Sequence, residues 1–280
     1  MNRRPDYTKI LIYAFYLITI LFFWGPVVWM VSLSLKTAKE IIQYPPTLIP
    51  KSFAIENYVH TLTKTAIPRQ MLNSAKITVI TVVGVLLVTI PASFAFSRFR
   101  FKGRTQLLLA ILLFQMISQL IIILPLYRYF ADLDLLDTHF GLILVYITVR
   151  IPFTVWLLKG FFDSIPKTLD DAARIDGATR LQTLLRVIIP PAMPGIAAAI
   201  LFNTINSWSQ FIIPYMFLSK SKLLPISVGV ARLAETAGEA IISQHLLASG
   251  SVLAMLPSIA IFIFLQRFIV KIMIGGAVKG

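Results

Sequence analysis

The chain has 280 residues, 57% of them hydrophobic and 14% charged, with a mean hydropathy of +0.81. A soluble domain carries about 25% charged residues, so this composition describes an integral membrane protein. The net charge of +14 implies no nucleic acid, because basic residues of such chains collect in cytoplasmic loops. The lack of cysteine excludes disulfides, thiolate metal sites and cysteine nucleophiles.

Arg3, Arg4 and Lys9 precede an apolar run over about 10–35. That run is too long for a signal peptide's apolar region and has no small-residue cleavage site after it, so it reads as a first spanning helix that stays. Residues 36–70 are polar and broken by Pro45, Pro46, Pro50 and Pro68. Further spans are predicted over about 71–96, 105–126, 139–162, 192–218 and 247–270. Each is near or above the roughly 20 residues a helix needs to cross a bilayer. With the N-terminus inside, 15 of the 26 Lys and Arg fall in inner segments and 9 in the longer outer ones, with Lys76 and Arg150 inside spans. That bias places both termini in the cytoplasm. The expected fold is an all-α membrane protein of six transmembrane helices, a single domain over 1–280.

Between the fourth and fifth spans lies a polar island, 163–191. Pro166 suits a helix start, and Asp170 and Asp171 follow in the early turns, where the helix dipole favours them. Gly177 stands where a left-handed residue would end that first helix. A second segment puts Leu181, Leu184, Leu185 and Ile188 on one predicted face, and Pro190 and Pro191 are expected to close it. The pattern is a helix–turn–helix outside the bilayer, cytoplasmic by the charge bias.

Asp171-Ala172-Ala173, three residues, Gly177, nine residues and Val187-x-Ile189-Pro190 resemble the E-A-A-x3-G-x9-I-x-L-P loop of ABC importer permeases. Asp171 replaces the usual Glu, and Val187 and Ile189 replace Ile and Leu. Trp156-x-x-x-Gly160-Phe161-Phe162, Ala173-Arg174-Ile175-Asp176-Gly177-Ala178 and the terminal Gly276-Ala277-Val278-Lys279-Gly280 resemble the carbohydrate branch, specifically the second permease of maltose-type systems. The resemblance implies one half of a pathway formed with a second permease, most simply as a heterodimer. It also implies two cytoplasmic ATPase subunits and an extracytoplasmic solute-binding protein. The loop would be the coupling element, through Asp170, Asp171, Ala172, Ala173, Asp176, Gly177 and Pro190, with Asp170 or Asp171 offering a charge to a basic partner. It further implies that a tail holding Lys279 and Gly280 inserts between the ATPase subunits; the competing expectation is a frayed chain end.

No Gly-Lys-Ser/Thr occurs, so ATP and Mg belong to the partner ATPase and this chain is expected to bind no cofactor. His60, His139 and His245 lack metal-ligand spacing, and no Gly-x-Ser-x-Gly nucleophile turn is present, so a membrane-embedded enzyme finds no support. An ion-coupled secondary transporter is the other reading; it needs acidic groups at membrane depth, and all 12 Asp and Glu fall in loops or tails.

Candidate solute-path residues are Asn203, Asn206, Trp208 and Gln210 of the fifth span and Gln115 and Gln119 of the third. Amides and an aromatic face suit a saccharide, but helix–helix hydrogen bonding explains the same residue types. Arg150 lies eleven residues after His139 and twelve before Phe162, roughly 16–18 Å from either end of its span and beyond snorkelling reach. It needs compensation from water in a pathway, from backbone or side-chain oxygens, or from a partner's carboxylate, unless a break at Pro152 shifts it to the headgroups. The expectation is that it faces the translocation cavity or the subunit interface.

Overall fold

The computed structural model describes residues 7–236 and 244–277, which are helical with short connections. The chain divides into two compact units, each built around its own contacts.

The first unit comprises Met1–Pro68 and Gly229–Met255. Its helices are α1 (Tyr7–Ser34), α2 (Ala38–Ile42) and α3 (Glu56–Lys64), with parts of α12 (Ile226–Thr236) and α13 (Gln244–Ala277). The described α1 side chains up to about Met30 are largely exposed and mostly Leu, Ile, Phe and Tyr, as a lipid-facing helix must be. Its end is tied back by polar contacts. Asn57 donates to the carbonyls of Ser34 and Lys36, both at 2.9 Å, and the buried Lys36 ammonium sits 5.0 Å from the Trp29 ring centre.

The second unit comprises Arg69–Val228 and Leu256–Gly280. It holds most of α4 (Ile67–Arg98), then α5 (Arg104–Phe114), α6 (Gln119–Asp132), α7 (His139–Asp163), α8 (Thr168–Ile175), α9 (Arg180–Gln182), α10 (Ile189–Trp208) and α11 (Ile212–Phe217), besides the later part of α13. In α4 the usual arrangement of a water-soluble helix is reversed. Gln70, Ser74, Thr78, Thr81, Thr89, Ser93 and Ser97 recur at three-, four- or eight-residue steps and are buried. Leu72, Val79, Val83 and Leu87 are exposed. A helix surrounded by lipid has no water to face, so its polar side chains turn inward. Ser93 donates to the Val155 carbonyl of α7 at 3.1 Å, and Ser74 accepts the Ile226 amide at 2.8 Å.

Among the described residues five helices are long and apolar enough to span a membrane, or six when one bent pair counts as a single span. That pair corrects the third predicted span, 105–126. α5 and α6 meet at 92° across residues 115–118, because Ser118 takes an extended conformation and restarts the helix at Gln119. The fifth span is corrected at both ends. Pro190 and Pro191 do not close the preceding segment: helix is continuous from Arg180 to Trp208 through a π-helical stretch at Thr183–Ile188. Prolines cannot donate to the carbonyls four residues back and their rings press on them; the wider winding just before them relieves that clash. At its far end the helix stops at Trp208 rather than 218, and α11 restarts after three residues.

The wider winding also divides the predicted apolar face. Leu184 and Ile188 are buried in a core with Phe94, Leu158, Phe162 and Ile165, whereas Leu181 and Leu185 point outward. A second core, around Tyr146, Leu142, Ile123, Phe130, Phe217 and Val228, lies toward the start of α7. There Asp137, held at φ 54°, accepts the backbone amides of Ser219 and Lys220 at 2.5 and 3.1 Å and so ties down the connection after α11.

Candidate functional site

The helix–turn–helix between α7 and α10 is built by local rules. α8 carries Asp170 and Asp171 in its first turn. It ends at Gly177, where φ is +77°. The Ala178 amide reaches back to the Ala173 carbonyl at 2.9 Å and the Gly177 amide to that of Arg174 at 3.1 Å, which satisfies carbonyls the helix end would otherwise leave bare. α9 opens on a reciprocal cap: the Thr179 amide donates to Gln182 Oε1 at 2.8 Å, and the Gln182 amide to Thr179 Oγ1 at 3.3 Å. Only glycine accepts that φ without the roughly 1–2 kcal/mol cost of left-handed backbone.

The two acidic residues have different surroundings. Asp170 does not offer its charge outward. Its Oδ2 lies 2.9 Å from Arg98 Nε, with the two side chains 9% and 5% exposed. The N–H direction misses hydrogen-bond alignment, so the contact is an ion pair only. Asp171 faces outward, its side chain 68% exposed and 3.8 Å from the equally exposed Arg174. Asp176, Ala172 and Gly177 are also exposed, while Ala173 is buried in this chain. On the same segment as Asp171, the apolar side chains of Leu169, Ile175, Leu181 and Leu185 are exposed. Pro190 is exposed at the start of α10, and Lys279 and Gly280 lie outside the described residues.

The candidate path residues fall into three groups. Asn203 is fully buried between α7 and α10, donating to Thr154 Oγ1 at 3.0 Å and to the Ala199 carbonyl at 2.8 Å. The first of those bonds joins the two helices, and the second stays within α10. Asn206 compensates Arg150: Nη1 donates to its Oδ1 at 3.2 Å and Nη2 to its carbonyl at 2.9 Å, with Arg150 only 8% exposed. Arg150 Nε and the Tyr146 hydroxyl are buried and meet no hydrogen-bond partner. The third group joins the two helix breaks. Gln210, just past the end of α10, donates to Gln119 Oε1 at 3.1 Å, receives the Phe211 amide at 3.1 Å, and through its own carbonyl accepts the Ser227 hydroxyl at 2.7 Å. Gln115 is exposed at the α5–α6 break, and Trp208 is buried.

Two features lie outside the sequence-based expectations. The hydroxyl stripe of α4 was one, although its helical spacing was visible. Arg98 was the other, visible only as one member of a basic loop. Among the described residues no three His, Asp or Glu cluster to hold a metal.

Polar groups turned inward and apolar ones outward, on helices long enough to cross a bilayer, define a multi-span membrane protein. The chain belongs to the family of binding-protein-dependent transport system inner membrane components, which it matches over residues 84–275. It is therefore an inner-membrane ABC permease subunit, not itself catalytic, and the ion-coupled alternative falls.

Among its relatives, the inner membrane ABC transporter permease protein YcjP of Escherichia coli (strain K12) is 32% identical, over 95% of this chain and 94% of its own. The galactooligosaccharides transport system permease protein GanQ of Bacillus subtilis (strain 168) is 32% identical, over 91% and 90%. A chain in the crystal structure of a bacterial ABC transporter involved in the import of the acidic polysaccharide alginate superimposes with a TM-score of 0.82, at 25% identity, covering 95% of this chain and 98% of that one.

Proposed function

We propose that this subunit carries a sugar or oligosaccharide inward, with both termini cytoplasmic and residues 163–191 docked on a separate ATPase. It works as half of a heterodimer, with two ATPase subunits and an extracytoplasmic binding protein. The observation that carries the docking reading is the apolar exposure of Leu169, Ile175, Leu181 and Leu185 around Asp171, on a loop whose other side is locked into this chain. Solvated loops seldom keep four large apolar side chains outward without a partner.

In this reading Asp171, Ala172, Asp176 and Gly177 meet the ATPase, while Asp170, Ala173 and Pro190 shape the element from behind. The tail carrying Lys279 and Gly280 reaches between the ATPase subunits. Gln119, Gln210 and Gln115, at the two helix breaks, are the groups offered to a polyhydroxylated solute, beside Trp208; Asn203, Asn206 and Arg150 brace the helices that carry them. Broken helices at membrane depth free backbone and amide groups to line a cavity. The sugar class is supported by relatives named for oligosaccharides, including diacetylchitobiose in Streptomyces coelicolor and trehalose in Mycobacterium tuberculosis.

The test reconstitutes the subunit with its partners in liposomes and measures ATP hydrolysis and uptake across a panel of binding proteins loaded with mono- and oligosaccharides, amino acids or peptides. Stimulation by at least one loaded sugar-binding protein is expected. Stimulation only by amino-acid or peptide binding proteins would overturn the sugar assignment.

A further inference from the structure

Ser97 and Arg98, which end α4, and Phe99, the residue just after it, each grip a different part of the docking element. Ser97 Oγ donates to Asp163 Oδ1 at 2.7 Å, where α7 ends. Arg98 Nη2 donates to the Ile165 carbonyl at 3.1 Å in the linker, and Nε pairs with Asp170 of α8 at 2.9 Å. The Arg180 guanidinium of α9 lies 4.9 Å from the centre of the Phe99 ring, which itself meets Phe94 edge-on at 5.9 Å. Phe94 in turn shares its core with Leu184 and Ile188 of the π stretch.

We infer that α4 is the lever that carries displacement of the docking element into the bundle, with Arg98 as the positioning residue at its foot. The inference rests on the docking reading above. A shift of α8 or α9 moves charges whose partners sit on α4. In a buried pair separation is opposed strongly, because each charge would be left without compensation. The helix then runs on unbroken through Ser93, bonded to α7, to Ser74 and Asn73, bonded to the connection after α11. One continuous helix, with Pro91 inside it, thus touches the docking loop at one end and the outer connection at the other, a contiguous path along which displacement of one end can reach the other.

The fork explains why this residue is arginine. Its planar group donates in a fixed direction to the Ile165 carbonyl while Nε keeps a charge contact with Asp170; the compact ammonium of a lysine has no second nitrogen to do both.

The experiment measures solute imported per ATP hydrolysed by the complete reconstituted importer, with ATPase co-purification as a separate readout. Arg98→Lys keeps the charge and loses the fork. The double variant Arg98→Gln/Asp170→Asn removes both charges together, so neither is left buried alone, and Phe99→Leu removes only the ring under Arg180. Expected for the first two is normal ATPase association with the import ratio lowered at least about fivefold, the lower edge of typical coupling free energies. Phe99→Leu lowers the ratio in the same direction by a smaller factor. A wild-type ratio in both Arg98→Lys and the double variant overturns the lever. The docking reading fails separately, and visibly, if Asp171→Lys and Gly177→Val both leave ATPase co-purification unchanged.

Discussion

Replacing Asn206 with leucine strips Arg150 of one of its two oxygens while the guanidinium stays in the middle of α7. A hydrogen bond to a charged group contributes about 1.5–3 kcal/mol, so Asn206→Leu should cost about that much. Adding Arg150→Met then removes the stranded charge itself. A charge at a helix centre costs about 2.5–3.5 kcal/mol on insertion scales, so the second substitution should recover stability rather than lose more. The expected non-additivity is about 2 kcal/mol or more, with the double variant more stable than Asn206→Leu alone. Thermal inactivation midpoints of the purified complex, with membrane-inserted yield alongside, give the cycle. If the two losses simply add, Arg150 is not compensated by Asn206 and the account of this brace is wrong.

Gly177→Val places a β-branched residue at φ +77°, costs the turn about 1–2 kcal/mol, and should release the ATPase in a pull-down while leaving insertion intact. Gly141→Ala brings a methyl against the Leu135 carbonyl and should lower the melting temperature more than Gly84→Ala, which meets only the flexible end of Ile147. Equal melting shifts would contradict that ordering. Gln119→Leu and Gln210→Leu should each change the solute concentration giving half-maximal transport, with little effect on ATPase association; an unchanged value in both would remove these amides from the path.

The helix–turn–helix of 163–191 was the most legible part of the chain because its rules are local. Gly177 and the acidic first turn of α8 follow from spacing within a dozen residues, which left open which of Asp170 and Asp171 faces outward. The role of Asp170 was not legible, since its partner Arg98 lies 72 positions earlier and only the fold brings them together. Pro190 and Pro191 read as a stop because proline usually is one; the π stretch before them, which lets the helix continue, has no composition of its own. The breaks after Phe114 and Trp208 were hidden inside runs apolar enough to pass as continuous spans, although Gln115, Ser118, Gln119 and Gln210 mark both. In α4 the exposed leucines and valines dominate mean hydropathy and mask the hydroxyl stripe, which only a positional reading reveals.

The chain has no cysteine, so a single substitution supplies its one thiol. Ile175 is 86% exposed at the tip of α8 and Leu181 64% exposed on α9. The most direct measurement places a cysteine at each in turn within the assembled importer and combines two reagents. An impermeant maleimide is applied to intact cells, and a short bifunctional crosslinker to inverted membrane vesicles. The account predicts no labelling from outside and a covalent adduct with the ATPase subunit from inside. Labelling in intact cells, or vesicles that yield no ATPase adduct at either position, would contradict it.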